Sequence, residues 1–135
     1  MIDKAFVDIN VLVYADAGAK HDVAVNVLRE LWSKRSGALS PQVLQEFYVN
    51  VTWKISTPVS RDDARSVVRA YSVWSTDVTP SEISTAFRIE DEARLGFWNA
   101  LIIASALKAG ATRVLPEDLN AGQVIAGVKI HNPFR

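Results

Sequence analysis

The stretch LGFWNALIIASALKAG, residues 95–110, is apolar on nearly every side when it is drawn as a helix. Such a helix has to be enclosed by other elements, so it constrains the fold more than any other segment. Gly110 is placed to end the helix, and Lys108 lies in the last turn, where a cation is favourable. Asn99, near the start, is a polar residue for which the apolar pattern gives no reason.

Short strand-like runs surround this helix in the sequence. They are AFVD (residues 5–8), GALS (37–40), RVLPED (113–118) and VKIH (128–131), with DVT (77–79) as a further edge strand. Helical patterns lie between them. Strands that alternate with helices predict an α/β sandwich around a mostly parallel sheet. In such sheets, ligands bind beyond the carboxyl ends of the strands.

The starts of the intervening helices carry recognisable capping signals. Thr79, Pro80 and Glu82 have the spacing of a capping box with proline at the first helical position, and this helix is expected to run to about Arg94. The other predicted starts are His21, Ser40 with Pro41, and Ser60 with Asp63.

Composition excludes several classes of function. The 135 residues fit a single domain over 1–135, and the formal net charge of zero gives no global attraction to nucleic acid. There is no cysteine and there are only two histidines, which excludes disulfides and thiolate catalysis and argues against a zinc site. The N-terminus has no signal-peptide pattern and no apolar run reaches about twenty residues, so a soluble cytoplasmic protein is expected.

Four residues carry the candidate chemistry. Asp8 closes the first strand, Asp118 follows the RVL strand beside Glu117, Glu46 lies in the helix after GALS, and Asn99 begins the buried helix. Two carboxylates about 4 Å apart repel by roughly 1–4 kcal/mol, so a cluster of them calls for a cation. Mg²⁺ and Mn²⁺ prefer oxygen ligands and promote phosphodiester hydrolysis.

Each of these residues also has an ordinary structural explanation. Asp8 could cap the end of a strand, Glu46 could pair with a base at the surface, Asp118 could be a turn residue, and Asn99 could be a helix N-cap. Only the combination of the four indicates a site.

The sequence around these residues resembles a PIN domain, and in particular the toxin ribonuclease of VapBC-type toxin–antitoxin pairs. The blocks that carry the resemblance are FVDINVLVYA (6–15), SPQVLQEFY (40–48), FWNALIIASALKAG (97–110) and RVLPEDLNAGQVIAGVKIHNPF (113–134). They occur in the right order and cover essentially the whole chain. The resemblance implies a three-layer α/β/α sandwich around a mostly parallel sheet.

The resemblance also assigns roles by position. Asp8, Glu46 and Asp118 match three acidic metal-site residues, and Asn99 falls where the family has an aspartate. The implied function is a Mg²⁺- or Mn²⁺-dependent endoribonuclease with an RNA substrate, an antitoxin partner and commonly a homodimeric assembly. Because Asn99 removes one negative charge, we expect weaker metal binding and reduced or absent cleavage; the alternative is an impaired domain that only binds RNA or its antitoxin.

Three further positions near the predicted site bear on the resemblance. Asn10 matches a usual polar residue, whereas Ile9 replaces a usual threonine and Pro116 a usual serine or threonine. Both replacements remove a hydroxyl that could hydrogen-bond an acid.

Two other enzyme classes fit less well. A haloacid-dehalogenase-like phosphatase needs a second aspartate and a Gly-Thr pair, which DINVL (8–12) lacks. A receiver-like phosphoacceptor needs a lysine at the end of a late strand, whereas Lys129 lies within VKIH.

The remaining signals concern surfaces. Arg61, Arg65 and Arg69 recur every four residues, so they lie on one strip of a helix. This strip fits contacts to RNA phosphate or to an acidic antitoxin segment, or else a solvated face balanced by neighbouring aspartates. Trp53 and Trp74 could serve stacking or a dimer face, but packing in the core or at its rim is expected.

Overall fold

Five strands form one sheet in the part of the chain that the structure, a computed structural model, describes: residues 3–16, 20–55, 58–116, 119 and 121–134. The strands are β1 Lys4–Val7, β2 Gly37–Ala38, β3 Ala111–Leu115, β4 Val124–Ile125 and β5 Val128–Ile130. Their order is β2-β1-β3-β5-β4, and every pair is parallel except β4 with β5. The predicted mostly parallel sheet is therefore confirmed.

Helices cover both faces of this sheet and give the predicted three-layer α/β/α arrangement. Helices α1 to α4 form one group, whereas α5 and α6 pack on each other and α6 contacts β1, β3 and β5. Their bounds are α1 Ile9–Asp16, α2 His21–Lys34, α3 Pro41–Val49, α4 Arg61–Tyr71, α5 Pro80–Ala93 and α6 Phe97–Ala109. A π-helical turn, Asn50–Lys54, continues α3, and a 3₁₀ turn, Ser72–Trp74, ends α4.

The predicted buried helix is α6, and it packs against the middle of the sheet. Gly110 ends it with a φ of +75°, which is the left-handed conformation that glycine adopts readily. The strands that it covers are also apolar, as is usual for parallel strands enclosed on both faces. Fully buried strand side chains include those of Phe6, Val7, Val114 and Ile130.

Two of the predicted helix starts are held by side-chain caps. Thr79 and Glu82 form the full capping box at the start of α5, and Ser60 Oγ accepts from the Asp63 backbone N–H at 3.1 Å. Ser40 occupies the N-cap of α3 and Pro41 is the first helical residue, but the Ser40 side chain makes no capping hydrogen bond.

The expectation of a strand at Asp77–Thr79 is wrong. The chain pairs earlier: Leu39 donates its N–H to the Trp74 carbonyl and accepts from the Thr76 N–H, which gives an isolated parallel bridge with Ser75. Beyond Thr76 the backbone leaves the sheet to bring Thr79 to the N-cap of α5. Helix α1 and the short strand β4 were not predicted from the sequence.

Among the described residues, no helix combines the length and the apolar character needed to cross a membrane.

Candidate active site

Asp8 lies at the carboxyl edge of the sheet, where two central strands end together. Val7 of β1 is in register with Leu115 of β3, so the residues that follow both strands leave the sheet at the same level. Asp8 is only 7% exposed, and its Oδ1 accepts the backbone N–H of Ile9 at 2.8 Å. The carboxylate therefore ends β1 and helps to begin α1, and it faces the edge at which ligands bind in parallel sheets.

The second strand ending at this edge leads to residues that the structure does not describe. β3 stops at Leu115, and Pro116, which cannot donate a backbone hydrogen bond, is buried directly after it. Glu117 and Asp118 lie outside the described residues, so the predicted role of Asp118 stays a prediction.

Asn99 is the third residue of α6, and helix geometry brings it to the same edge. Only Gly110 separates α6 from β3, and the two pack along each other, so they run in opposite directions. The 13 residues of α6 span about 20 Å and the five of β3 about 17 Å, so the start of the helix returns to the carboxyl end of the strand.

The interpretation of Asn99 as a helix N-cap is wrong, because Gly96 occupies that position. The Asn99 side chain is half-buried, and no described residue is within hydrogen-bonding distance of it. Its amide therefore does not cap the helix, and its predicted contribution to a metal site stays a prediction.

Glu46 is exposed on α3, a helix that starts two residues after Leu39, which forms the bridge with Ser75 just beyond β2. Its Oε1 accepts from Gln42 Nε2 at 2.8 Å. The expectation of a surface ion pair with a base is wrong within the described chain, because Glu46 is bonded to an amide instead.

The described residues do not by themselves form a complete metal site. No group of three His, Cys, Asp or Glu side chains suited to a metal ion occurs among them. Asp118 lies outside the described residues and Asn99 is an amide, so the predicted set of Asp8, Glu46, Asn99 and Asp118 is neither confirmed nor contradicted.

A partly buried ion pair at the other end of α6 was not foreseen from the sequence. Lys108 Nζ lies 3.0 Å from Glu82 Oε1, which also accepts from the Thr79 backbone N–H and hydroxyl. These Thr79 hydrogen bonds, with a smaller effect from Lys108, lower the pKa of Glu82 to about 2. The pair ties α5 to α6, and the only advance signal was the capping-box spacing.

The arginine strip borders a groove between α3 and α4. Arg65 and Arg69 line a cavity of about 390 Å³ whose other walls are mainly apolar, and the Arg65 guanidinium lies 6.0 Å from the centre of the Tyr48 ring. All three arginines are exposed and none forms an ion pair with a described residue, so the strip as a ligand contact and the strip as a solvated face both stay predictions. The remaining lining residues are Leu44, Gln45, Val49 and Val68.

The tryptophans divide into buried and exposed members. Trp74 is in the core, as expected, and contacts the rings of Trp32 and Tyr71. Trp53 is 74% exposed, so core packing is wrong for this residue. Trp98, which the sequence analysis did not single out, is 64% exposed beside Asn99.

Solved structures share this architecture along most of their length. A chain in the structure of FitAB bound to an IR36 DNA fragment matches with a TM-score of 0.76 at 15% identity, over 97% of this chain and 96% of its own. This is a PIN-like fold. No protein-family model and no curated protein matches the sequence.

Two further structures carry the same PIN-like fold. VapBC2 from Rickettsia felis, bound to a DNA fragment from its promoter, matches with a TM-score of 0.66 at 19% identity over 98% of both chains. VapC20 from Mycobacterium tuberculosis, a toxin that cleaves the sarcin–ricin loop, matches with a TM-score of 0.61 at 18% identity, over 85% of this chain and 90% of its own. The predicted fold class and the resemblance in fold are confirmed.

Proposed function

We propose that this chain is the toxin of a toxin–antitoxin pair and a Mg²⁺- or Mn²⁺-dependent endoribonuclease acting in the cytoplasm, with activity weakened by Asn99. The observation that carries the proposal is the buried carboxylate of Asp8 at the carboxyl edge of a PIN-like fold, the fold that VapC20, a sarcin–ricin loop cleaving toxin, shares. Phosphodiester hydrolysis at such an edge needs acidic side chains and no nucleophilic cysteine, which agrees with the composition.

The donor set proposed for the cation consists only of oxygens. Asp8, Glu46 and Asp118 would supply carboxylates, and Asn99 would supply an amide oxygen. This chemistry fits a hard divalent ion such as Mg²⁺ or Mn²⁺ and does not fit zinc. When bound, the ion would supply Lewis acidity toward the phosphodiester and offset the mutual repulsion of the carboxylates.

The side chains themselves have distinct capacities. Asp8 has one oxygen engaged by the Ile9 N–H, which fixes the orientation of its carboxylate. Asn99 can present an oxygen, but an amide carries no charge and cannot take up a proton near neutral pH. Any general base therefore has to be one of the carboxylates, and Asn99 can only help to position a ligand.

A cleavage assay tests the proposed function. Single-stranded and structured RNAs are incubated with the chain in Mg²⁺, in Mn²⁺ and in EDTA, and Asp8→Asn serves as the inactive control. Metal-dependent cleavage that Asp8→Asn abolishes supports the proposal. Cleavage that is unchanged in EDTA and in Asp8→Asn would show that the nuclease activity does not use this site.

A second candidate function follows from Asn99. If the missing charge prevents metal uptake, the chain is a binding module that recognises RNA or the antitoxin without cleaving RNA. Calorimetric titration with Mn²⁺ separates the two functions: tight antitoxin binding without metal uptake and without cleavage favours the binding module.

The groove between α3 and α4 is the surface that we propose for the antitoxin. Its walls are apolar and Arg65 and Arg69 stand at its border without an ion-pair partner among the described residues, so it suits an amphipathic segment with acidic side chains. Reversal of both charges should weaken antitoxin binding while leaving folding intact.

We also propose a homodimer, which sedimentation velocity tests directly.

A further inference from the structure

We propose that Trp98 stacks against a base of single-stranded RNA at the rim of the candidate active site and so positions the strand. The inference rests on the proposed ribonuclease function. It adds a contact to the base, whereas the acidic residues act on the phosphodiester.

The position of Trp98 follows from that of Asn99. The two are consecutive residues in the first turn of α6, at the end of the helix that reaches the carboxyl edge of the sheet. Asn99 is half-buried, whereas Trp98 is 64% exposed. A strand held at this edge would therefore pass an open indole ring.

Neighbouring rings restrain the indole without covering it. Phe97 contacts Trp98 with the ring centres 5.2 Å apart and the planes at 72°, and Phe87 from α5 contacts Phe97 at 5.8 Å. Phe87 is itself 52% exposed. We call these three residues the aromatic shelf. A restrained aromatic surface loses little conformational entropy when a base stacks on it.

The charge balance of the chain favours this kind of contact. With a formal net charge of zero, the chain gains little RNA affinity from a global electrostatic field. Stacking on an aromatic side chain contributes about 1–3 kcal/mol per base and tolerates any base. An exposed aromatic ring beside the candidate active site would therefore supply RNA affinity that the net charge of the chain does not.

The size of the aromatic shelf fits a base better than a second copy of the chain. Scaled by their exposed fractions, Phe87 and Trp98 offer roughly 200–300 Å² of surface, whereas a stable protein interface buries about 800 Å² on each partner. A nucleobase needs only the smaller area.

RNA-binding measurements on matched variants test the proposal. The probe is a 5′-fluorescein-labelled, mixed-sequence, single-stranded 12-nucleotide RNA, and binding is followed by anisotropy in EDTA, so that cleavage does not occur. Trp98→Ala should raise the Kd by about 5- to 150-fold, which is the stacking free energy above expressed as a ratio. Trp98→Phe should retain most of the affinity, and Trp53→Ala, which removes an even more exposed indole elsewhere, should leave the Kd unchanged.

The outcomes separate this inference from the proposed function. If wild type binds the RNA and Trp98→Ala binds it equally well, the stacking role is overturned and the ribonuclease proposal stands. If wild type binds no RNA with or without metal, the stacking role and the ribonuclease proposal are both overturned. If Trp98→Ala instead changes the sedimentation of the free chain and not its RNA affinity, the aromatic shelf is a contact between copies.

Discussion

The indole of Trp74 occupies the space that a side chain at Gly37 would need. A Cβ atom built on Gly37 would lie 2.5 Å from Cε2 of Trp74 and 2.6 Å from two further atoms of the ring. Trp74 also contacts the rings of Trp32 and Tyr71, so it cannot move without disturbing two other aromatic side chains. The contact fixes β2, an edge strand of only two residues, against the helical layer.

Gly37→Ala should therefore destabilise the fold. We expect a loss of about 1–3 kcal/mol in the free energy of unfolding, which is typical when extra atoms enter a close-packed core. Gly96→Ala is the control without a steric clash, because a Cβ at Gly96 meets nothing within 4 Å; its only expected cost is the weaker N-cap of α6. Urea denaturation of both variants measures the difference, and equal midpoints would contradict the steric argument.

Local patterns in the sequence were sufficient for α6 and for the start of α5. An apolar run ended by Gly110, or the spacing of Thr79 to Glu82, specifies a helix without reference to the rest of the fold. Other helix ends gave no such signal: Arg35 and Arg94 hold left-handed C-cap conformations that glycine usually adopts.

The candidate site was only partly predictable, because a local pattern places only some of its residues. The end of a strand at Asp8 is a local property, so its place at the sheet edge could be read from AFVD. The meeting of side chains from separate helices depends on tertiary packing, which no local pattern encodes. Trp74 and Trp98 illustrate this: they are the same residue type, but one is buried and the other exposed because of what packs against each turn.

The stability of the protein should depend on pH through Glu82. Its pKa is lowered from about 4.5 to about 2 in the folded state, so folding is favoured by its ionised form. This stabilisation is fully present above about pH 4.5 and is lost as the pH falls toward 2. Glu82→Gln should therefore differ most from wild type in thermal midpoint at neutral pH and converge with it in acid.

Lys108→Met provides the control for that experiment. The hydrogen bonds from Thr79 are larger causes of the lowered pKa than Lys108, so this variant should keep most of the acid dependence. A Lys108→Met profile as flat as that of Glu82→Gln would show that the ion pair, and not the capping box, dominates.

The hairpin between β4 and β5 contains a residue that is poorly suited to its backbone. Ala126 has a φ of +51°, and it forms the two-residue turn with Gly127, whose φ is +84°. Positive φ at both positions is typical of a type I′ turn, for which Asn-Gly is preferred. Ala126→Asn should stabilise the fold by about 1 kcal/mol. Ala121→Asn, at an exposed turn position without a positive φ, should change the urea midpoint little.

The last prediction concerns the charge that Asn99 lacks. Asn99→Asp adds a carboxylate of nearly the same shape at the edge of the sheet where Asp8 is buried. Two unit charges about 4 Å apart interact by roughly 1–4 kcal/mol. Without a cation the variant should be less stable than wild type, because the acids repel. With Mn²⁺ it should gain stability and bind the ion at least fivefold more tightly. Thermal unfolding with and without Mn²⁺, together with calorimetric titration, measures both effects. Asn26→Asp, at an exposed position of α2 away from the four proposed ligands, controls for the added charge alone, and an equal response of the two variants would remove position 99 from the proposed site.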